Sequence, residues 1–268
     1  MEYLRLATLI RAYAVRMTHR GKSGHVGSSL SMADLISVLY TKILRVNPSQ
    51  PDWQERDRFI LSKGHAAAGV YVALAEKGFF PKDWLDTYYQ DNGRLSGHIS
   101  HHVPGVEFST GSLGHGLPVA AGMAINAKRK NKNYRIFALL SDGDCNEGST
   151  WESIMFAAQH HLDNLIAILD YNKIQALGRS KDIIDLEPLT EKLKAFHWAV
   201  KEINGHNYQQ IEDALTNVPL ESSKPSFIIA HTIKGKGVSF FEDTVSCHYK
   251  YANEEELEKA YNELGVKI

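Results

Sequence analysis

The chain of 268 residues is poor in several things, and each shortage excludes a class of protein. It holds two cysteines, Cys145 and Cys247, far apart and without metal-ligand spacing, so no disulfide framework is expected and the thiols read as reduced, in a cytosolic setting. It has no surplus of either charge: a formal net charge of -1 argues against nucleic acid as a partner. No apolar run approaches the roughly 18 residues that cross a bilayer, so membrane insertion is not expected. The N-terminal stretch sets Arg5, Arg11, Arg16 and Arg20 among apolar residues at helical spacing, with no unbroken apolar core or cleavage site, and reads as a helix of the mature protein. Linkers rich in proline or serine, repeats and low-complexity tracts are missing too, which leaves a single domain over residues 1–268 as the simplest division.

An apolar share of 43% against a charged share of 23% fits an ordinary globular domain with one sizeable core. Helical periodicity covers Leu4 to Thr18, Met32 to Leu44, Ala66 to Lys77, Leu117 to Lys130, Ser149 to His161, Tyr208 to Asn217 and Glu254 to Leu264. Between them, Arg58 to Leu61, Arg135 to Leu140, Leu165 to Leu169, Ala199 to Ile203 and Ser226 to Ala230 have the length and composition of buried strands. This alternation predicts an α/β fold, a mostly parallel sheet flanked by helices. Ligands of such sheets bind beyond the carboxyl ends of the strands, which directs attention to Ser62–His65, Ser141–Glu147 and Tyr171–Gly178.

One βαβ unit there carries oxygen at both strand tips. The strand ending at Leu140 runs into Ser141-Asp142-Gly143-Asp144-Cys145-Asn146-Glu147-Gly148, and the strand ending at Leu169 runs into Asp170-Tyr171-Asn172-Lys173-Ile174. Asp142 and Asn172, with a backbone carbonyl near Ile174, could hold a hard cation such as Mg²⁺, whose octahedral shell is commonly completed by phosphate oxygens. Gly143 would let the backbone approach a diphosphate, and the helix after Gly148 would turn its N-terminus to the same anion. A plainer alternative makes Asp142 the cap of that helix.

This unit resembles the signature of the thiamine diphosphate enzymes, Gly-Asp-Gly followed some thirty residues later by Asn-Asn. Ser141 and Tyr171 stand at the first positions of the two elements, while Asp142 and Asn172 are both present. Three further segments place histidine after glycine at a predicted loop or helix start: Ser23-Gly24-His25-Val26-Gly27, Ser62-Lys63-Gly64-His65-Ala66 and Ser96-Gly97-His98. Together with Thr110-Gly111-Ser112-Leu113-Gly114-His115-Gly116 they resemble the stations of the transketolase family, in its order, from residue 20 to 240. Val26 stands where that family often has proline, which changes loop stiffness and removes no functional group.

The resemblance implies the family's thiamine diphosphate-binding fold and transfer of a two-carbon ketol unit from a ketose to an aldose, as sugar phosphates or other sugars. Such chemistry moves protons on and off hydroxyls near neutral pH, for which histidine is suited. By resemblance, His25 and His65 serve proton transfer and polarisation at the substrate carbonyls, and His98 bonds the terminal hydroxyl of the ketol. His248 is placed by its distance from Lys234-Gly235-Lys236-Gly237-Val238, and the family's histidine in that region reaches the diphosphate and substrate oxygens. The cofactor would touch His65, Gly111, Leu113, Gly114, Gly143, Glu147, Asn172 and His248. Asp142, Asn172 and the Ile174 carbonyl would hold Mg²⁺, for which Ca²⁺ or Mn²⁺ could stand in.

Other readings of the same residues stay open at this point. His98, His101 and His102 could be zinc ligands, although no nearby cysteine or carboxylate completes the set. Gly111 to Gly116 is not G-x-G-x-x-G, which weakens a nicotinamide site. Lys234 and Lys236 could bind phosphate or be two solvated lysines in a turn. Cys145 reads as a small turn residue, and Trp151, Phe156 and Trp198 as core.

Family chains commonly continue into a second α/β domain that binds the aminopyrimidine ring and supplies a glutamate; it is not found before Ile268. The resemblance is to the N-terminal subunit of split transketolases, which implies a C-terminal partner chain, an α₂β₂ assembly and a cytoplasmic location. A deoxyxylulose phosphate synthase-like or keto acid dehydrogenase component, or a non-catalytic cofactor-binding chain, are the competing possibilities. His25, His65 and His98 favour ketol transfer over these.

Overall fold

The computed structural model describes residues 1–267. In chain order its helices are α1 (Glu2–Arg20), α2 (Val26–Ser31), α3 (Ala33–Val38), α4 (Ala67–Lys77), α5 (Gly116–Arg129), α6 (Gly148–Gln159), α7 (Ser180–Ile183), α8 (Leu189–Ala195), α9 (Tyr208–Thr216) and α10 (Glu254–Leu264). Its strands are β1 (Arg58–Leu61), β2 (Ile136–Ser141), β3 (Leu165–Tyr171), β4 (Ala199–Asn204) and β5 (Ser226–His231). They form one sheet in the order β1-β2-β3-β5-β4, every pairing parallel.

Alternate residues of each central strand feed two apolar layers, as a period of two requires. Phe59, Leu61, Phe137, Leu139, Ile166, Ile168 and Ile228 pack with α1, α3, α4 and α9. Ile60, Ala138, Leu140, Leu165, Leu169 and Phe227 pack with α5, α6 and α8. Each fully buried Leu, Ile or Phe contributes about 1.5–3 kcal/mol, so these layers fix the sheet and with it the strand tips. β4, at the edge, exposes Glu202 and half-exposes Lys201, which discourages pairing with another chain.

The chain crosses from β3 past β5 to β4 on the α8 side and returns to β5 through α9 on the other, so the strand order puts the ligand crevice expected of such sheets at the carboxyl ends between β3 and β5. A third small core, Val15, Val26, Leu30, Val238, Phe241, Cys247 and Leu257, fastens the segment after β5 against α1 and α2. That packing carries His248 back over the crevice.

Three expectations need correction. The chain enters helix at Val26, six residues before the expected Met32, breaks at Met32 and ends in a wide turn over Leu39–Ile43. Helices α7 and α8 lie where none was expected. Phe156 is 41% exposed rather than core, because it lies on the outer face of α6, whereas Trp198 is buried and Trp151 packs partly against the core.

Candidate active site

Four histidines remote in sequence meet over the crevice. The His25 ring lies 5.1 Å from that of His65, 5.7 Å from His98 and 4.7 Å from His248, and His65 lies 5.5 Å from His248. The preceding glycines explain the convergence. A Cβ on Gly24 would stand 2.6 Å from the His248 carbonyl oxygen, and one on Gly64 would stand 2.2 Å from that of Thr110, so only glycine lets these segments abut. The His25 amide donates to the His248 carbonyl at 2.8 Å, and His25 itself takes a left-handed conformation, φ 72°.

The rings are poised neutral. Burial, with the charge of Lys63, holds His65 well below the ordinary imidazole value; burial, His98 and Lys234 lower His25; burial alone lowers His98; burial, Lys234 and His25 bring His248 down to about 3. A neutral imidazole can accept a proton near pH 7 while its N–H donates a hydrogen bond, and the protonated ring can then return the proton. His98 is exposed at the mouth, with Gly111 against its ring, while His65 accepts or donates to Ser28 Oγ at 3.2 Å.

His248 leads through Lys234 to the Ile174 carbonyl, next to the two strand-tip residues Asp142 and Asn172. β2 and β3 pair Ser141 with Asp170, so Asp142 and Asn172 follow on adjoining strands, and both are buried. Asp142 Oδ2 accepts from Ser180 Oγ at 2.5 Å, while Oδ1 is buried with no hydrogen-bond partner. Burial pushes this carboxyl up to about 6. The helix-capping alternative for Asp142 fails: Glu147 holds the N-cap position of α6, and in the turn before it Ser141 and Asp144 form the reciprocal cap, with Asp144 also accepting from Ser62 Oγ and the Gly114 amide. Asn172 donates to Asp170 and accepts from the Ile174 amide at 3.1 Å.

Gly111, Leu113 and Gly114 lie on a loop that abuts the turn of Gly143 and Glu147. A Cβ on Gly143 would stand 2.7 Å from Leu113 Cδ1, Ser149 Oγ donates to the Gly114 carbonyl at 2.8 Å, and the Glu147 side chain is exposed.

The solvated-lysine reading is overturned for Lys234. Its side chain is buried and its ammonium donates to the Ile174 carbonyl at 2.9 Å, 3.4 Å from His248 Nδ1. Sequence reasoning also missed Lys63 and Asp170, a fully buried ion pair beneath His65 that gathers Ser31, Thr232 and Asn172. A lysine next to a glycine in a turn, as Lys63 and Lys234 are, looks solvated by itself; an acid closing an apolar strand was the available signal for Asp170. Among the described residues no three His, Cys, Asp or Glu side chains are grouped to hold a metal, so the zinc reading of His98, His101 and His102 finds no set. A cation here would need backbone or ligand oxygens besides Asp142. The orphaned Asp142 oxygen, the close-packed Gly143 and the buried ammonium suit a cation together with a diphosphate.

The model of the transketolase thiamine diphosphate binding domain matches residues 3–268. The chain belongs to the transketolase family. That makes it a component of a transferase and gives the parallel sheet its place among thiamine diphosphate-binding folds. It is 44% identical to a subunit of the apulose-4-phosphate transketolase of Actinobacillus succinogenes over 242 residues, 90% of this chain and 87% of that one. It is 40% identical to the 6-deoxy-6-sulfo-D-fructose transketolase subunit SqwG of a Clostridium species over 259 residues, 96% of this chain and 94% of that one. Among solved structures, the transketolase of Campylobacter jejuni superposes with a TM-score of 0.94 at 33% identity, covering 100% of this chain. That of Leishmania mexicana gives 0.93 at 31%, covering 99%. This chain spans 43% and 41% of those two longer chains.

Proposed function

We propose that this chain is the thiamine diphosphate-binding component of a two-component transketolase, which moves a two-carbon ketol unit from a ketose to an aldose only when a second, pyrimidine-binding chain is present. The observation that carries it is the meeting of the four imidazoles His25, His65, His98 and His248 in a chain that also buries a carboxylate, Asp142, with one oxygen unpartnered. Support for the division into two chains comes from relatives that are themselves named as transketolase subunits and are matched along most of their length. An α₂β₂ assembly, a glutamate from the partner and a cytoplasmic location complete the reading.

In it, residues 1–268 act as one cofactor-binding domain. Asp142, Asn172 and the Ile174 carbonyl would hold Mg²⁺, and Lys234, which donates to that carbonyl in the free chain, would meet diphosphate oxygens. Gly111, Leu113, Gly114, Gly143 and Glu147 line the cofactor. Bound thiamine diphosphate supplies the carbanion chemistry. His25, His65 and His248 move protons at the substrate carbonyl and hydroxyl oxygens, and His98, at the mouth, bonds the terminal hydroxyl. The substrate class is a sugar or sugar phosphate, its distal end held by the partner.

The test mixes the chain with its partner, thiamine diphosphate and Mg²⁺, and follows ketol transfer from a panel of ketoses. Transfer that needs all four components is expected. Calorimetry that registers no cofactor uptake by the complete mixture would sink the proposal.

A further inference from the structure

Behind the crevice, out of contact with the four rings and with Asp142, one carboxylate governs the loop that carries Lys234. Asp34, in α3, is buried and takes four donor contacts: Arg11 Nη1 at 3.0 Å and Nη2 at 2.7 Å, His206 Nδ1 at 2.7 Å and Tyr208 Oη at 2.5 Å. Burial alone would raise it, but hydrogen bonds from His206 and Arg11 hold it down at about 2, so it is a carboxylate at any working pH. Two of these partners reach on to the loop after β5. His206 Nε2 lies 2.9 Å from the Ile233 amide, and Arg11 Nε donates to the Lys236 carbonyl at 2.9 Å.

The Ile233 amide can only donate, so Nε2 must be the bare nitrogen and Nδ1 carries the proton given to Asp34. His206 is thereby held as one neutral tautomer, a state that a helical or solvated histidine would not need. Between the two anchors the chain makes a tight turn at Gly235, φ 79°, whose amide donates to the Gly27 carbonyl at 3.1 Å, and Lys234 projects inward to Ile174. Anchoring on both flanks matters because a lysine has four rotatable side-chain bonds, and only a fixed backbone aims its ammonium.

We propose that His206, oriented by Asp34, is a positioning residue for Lys234: it sets the loop so that the ammonium enters the diphosphate-binding region while the imidazole itself touches no ligand. This rests on the reading that Lys234 meets the diphosphate.

The test titrates thiamine diphosphate with Mg²⁺ into the two-component enzyme by calorimetry, for wild type, Lys234→Met, His206→Leu, His206→Gln and the double variant Lys234→Met/His206→Leu. Lys234→Met should weaken cofactor binding on the order of 30-fold, the loss of one charge-assisted contact. His206→Leu should weaken it about tenfold with kcat at saturating cofactor within about twofold, as for groups that orient a ligand's partner. In the Lys234→Met background His206→Leu should cost nothing further, because its effect passes through the ammonium. His206→Gln, which keeps an acceptor for the Ile233 amide, should restore most of the affinity. Equal losses from His206→Leu with and without Lys234 would overturn the proposal in favour of a general stabilising role. An unaffected His206→Leu would overturn it while leaving the cofactor reading intact, and a wild type that takes up no cofactor would remove both. If His206→Leu does not fold, ring nitrogen shifts of labelled wild type decide: a single neutral Nδ1–H tautomer at pH 7 is expected, and a doubly protonated ring would overturn the assignment.

Discussion

The two ends of the sheet treat a buried carboxylate in opposite ways. At the amino end, Asp57 precedes β1 and is 1% exposed; Arg45 and Arg135 grip both its oxygens, and despite burial they hold it below the usual carboxylate value. At the carboxyl end, Asp142 follows β2 and is 2% exposed, with a serine hydroxyl on one oxygen, nothing on the other, and a value pushed up to about 6. One end is finished within the chain. The other keeps an acceptor that only something from outside can satisfy, which separates scaffold from site by hydrogen bonding alone.

Four tests at two positions can break the comparison. Asp57→Ala should cost the most, roughly 3–4 kcal/mol of stability, because it strands two arginines and two backbone amides, and denaturant unfolding should register it. Cofactor affinity per folded molecule should not change. Asp142→Ala should do the reverse: about 100-fold weaker Mg²⁺-dependent uptake of thiamine diphosphate by calorimetry, equivalent to about 2.7 kcal/mol, with little loss of fold. Retained binding with the same Mg²⁺ dependence would remove Asp142 from the cation site.

A smaller effect has the opposite sign. Without cation or cofactor, Asp142→Asn should stabilise the chain by about 2 kcal/mol at pH 7, since the raised carboxyl must ionise against burial and the amide need not. The smallest concerns acid. His248 binds its proton at about 3 when folded and near 6.5 when unfolded, so between those values the unfolded chain holds more protons and stability falls as pH falls. Asp142 works against this, gaining stability as pH drops from about 6 towards 3.8. Asp142→Asn should therefore lose stability more steeply than wild type on acidification from pH 6 to 4, by about 1 kcal/mol per pH unit, and Tm should follow. Parallel curves would show that Asp142 is not raised.

The strands were legible because a parallel sheet buries both faces: all five lie within two residues of where the apolar runs placed them. Helix α2 was not, because Val26-Gly27-Ser28-Ser29-Leu30-Ser31 is buried on every side and small residues leave no periodic trace. Helix α8 offers only Leu189 and Leu193 as buried residues amid charge, too short a pattern to register. At the site, glycine next to histidine marked the stations, but that the four rings meet is a product of tertiary packing that spacing does not encode. Lys234 misled because exposure is not a property of a turn sequence; what buries it is the segment after β5, folded against α1 and α2. Asp34 and Arg11 did leave a sign, each a charged residue inside an otherwise apolar helical face, and it marked a network behind the site rather than a ligand contact.

The backbone at His25 has a bearing on laboratory evolution. Its φ of 72° is a conformation that glycine and asparagine adopt readily and that β-branched residues resist. A saturation library at this position, ranked by soluble yield, should be topped by those two residues and emptied of valine and isoleucine whatever the imidazole does. Yield and turnover therefore have to be scored separately there, or chain geometry will be mistaken for chemistry.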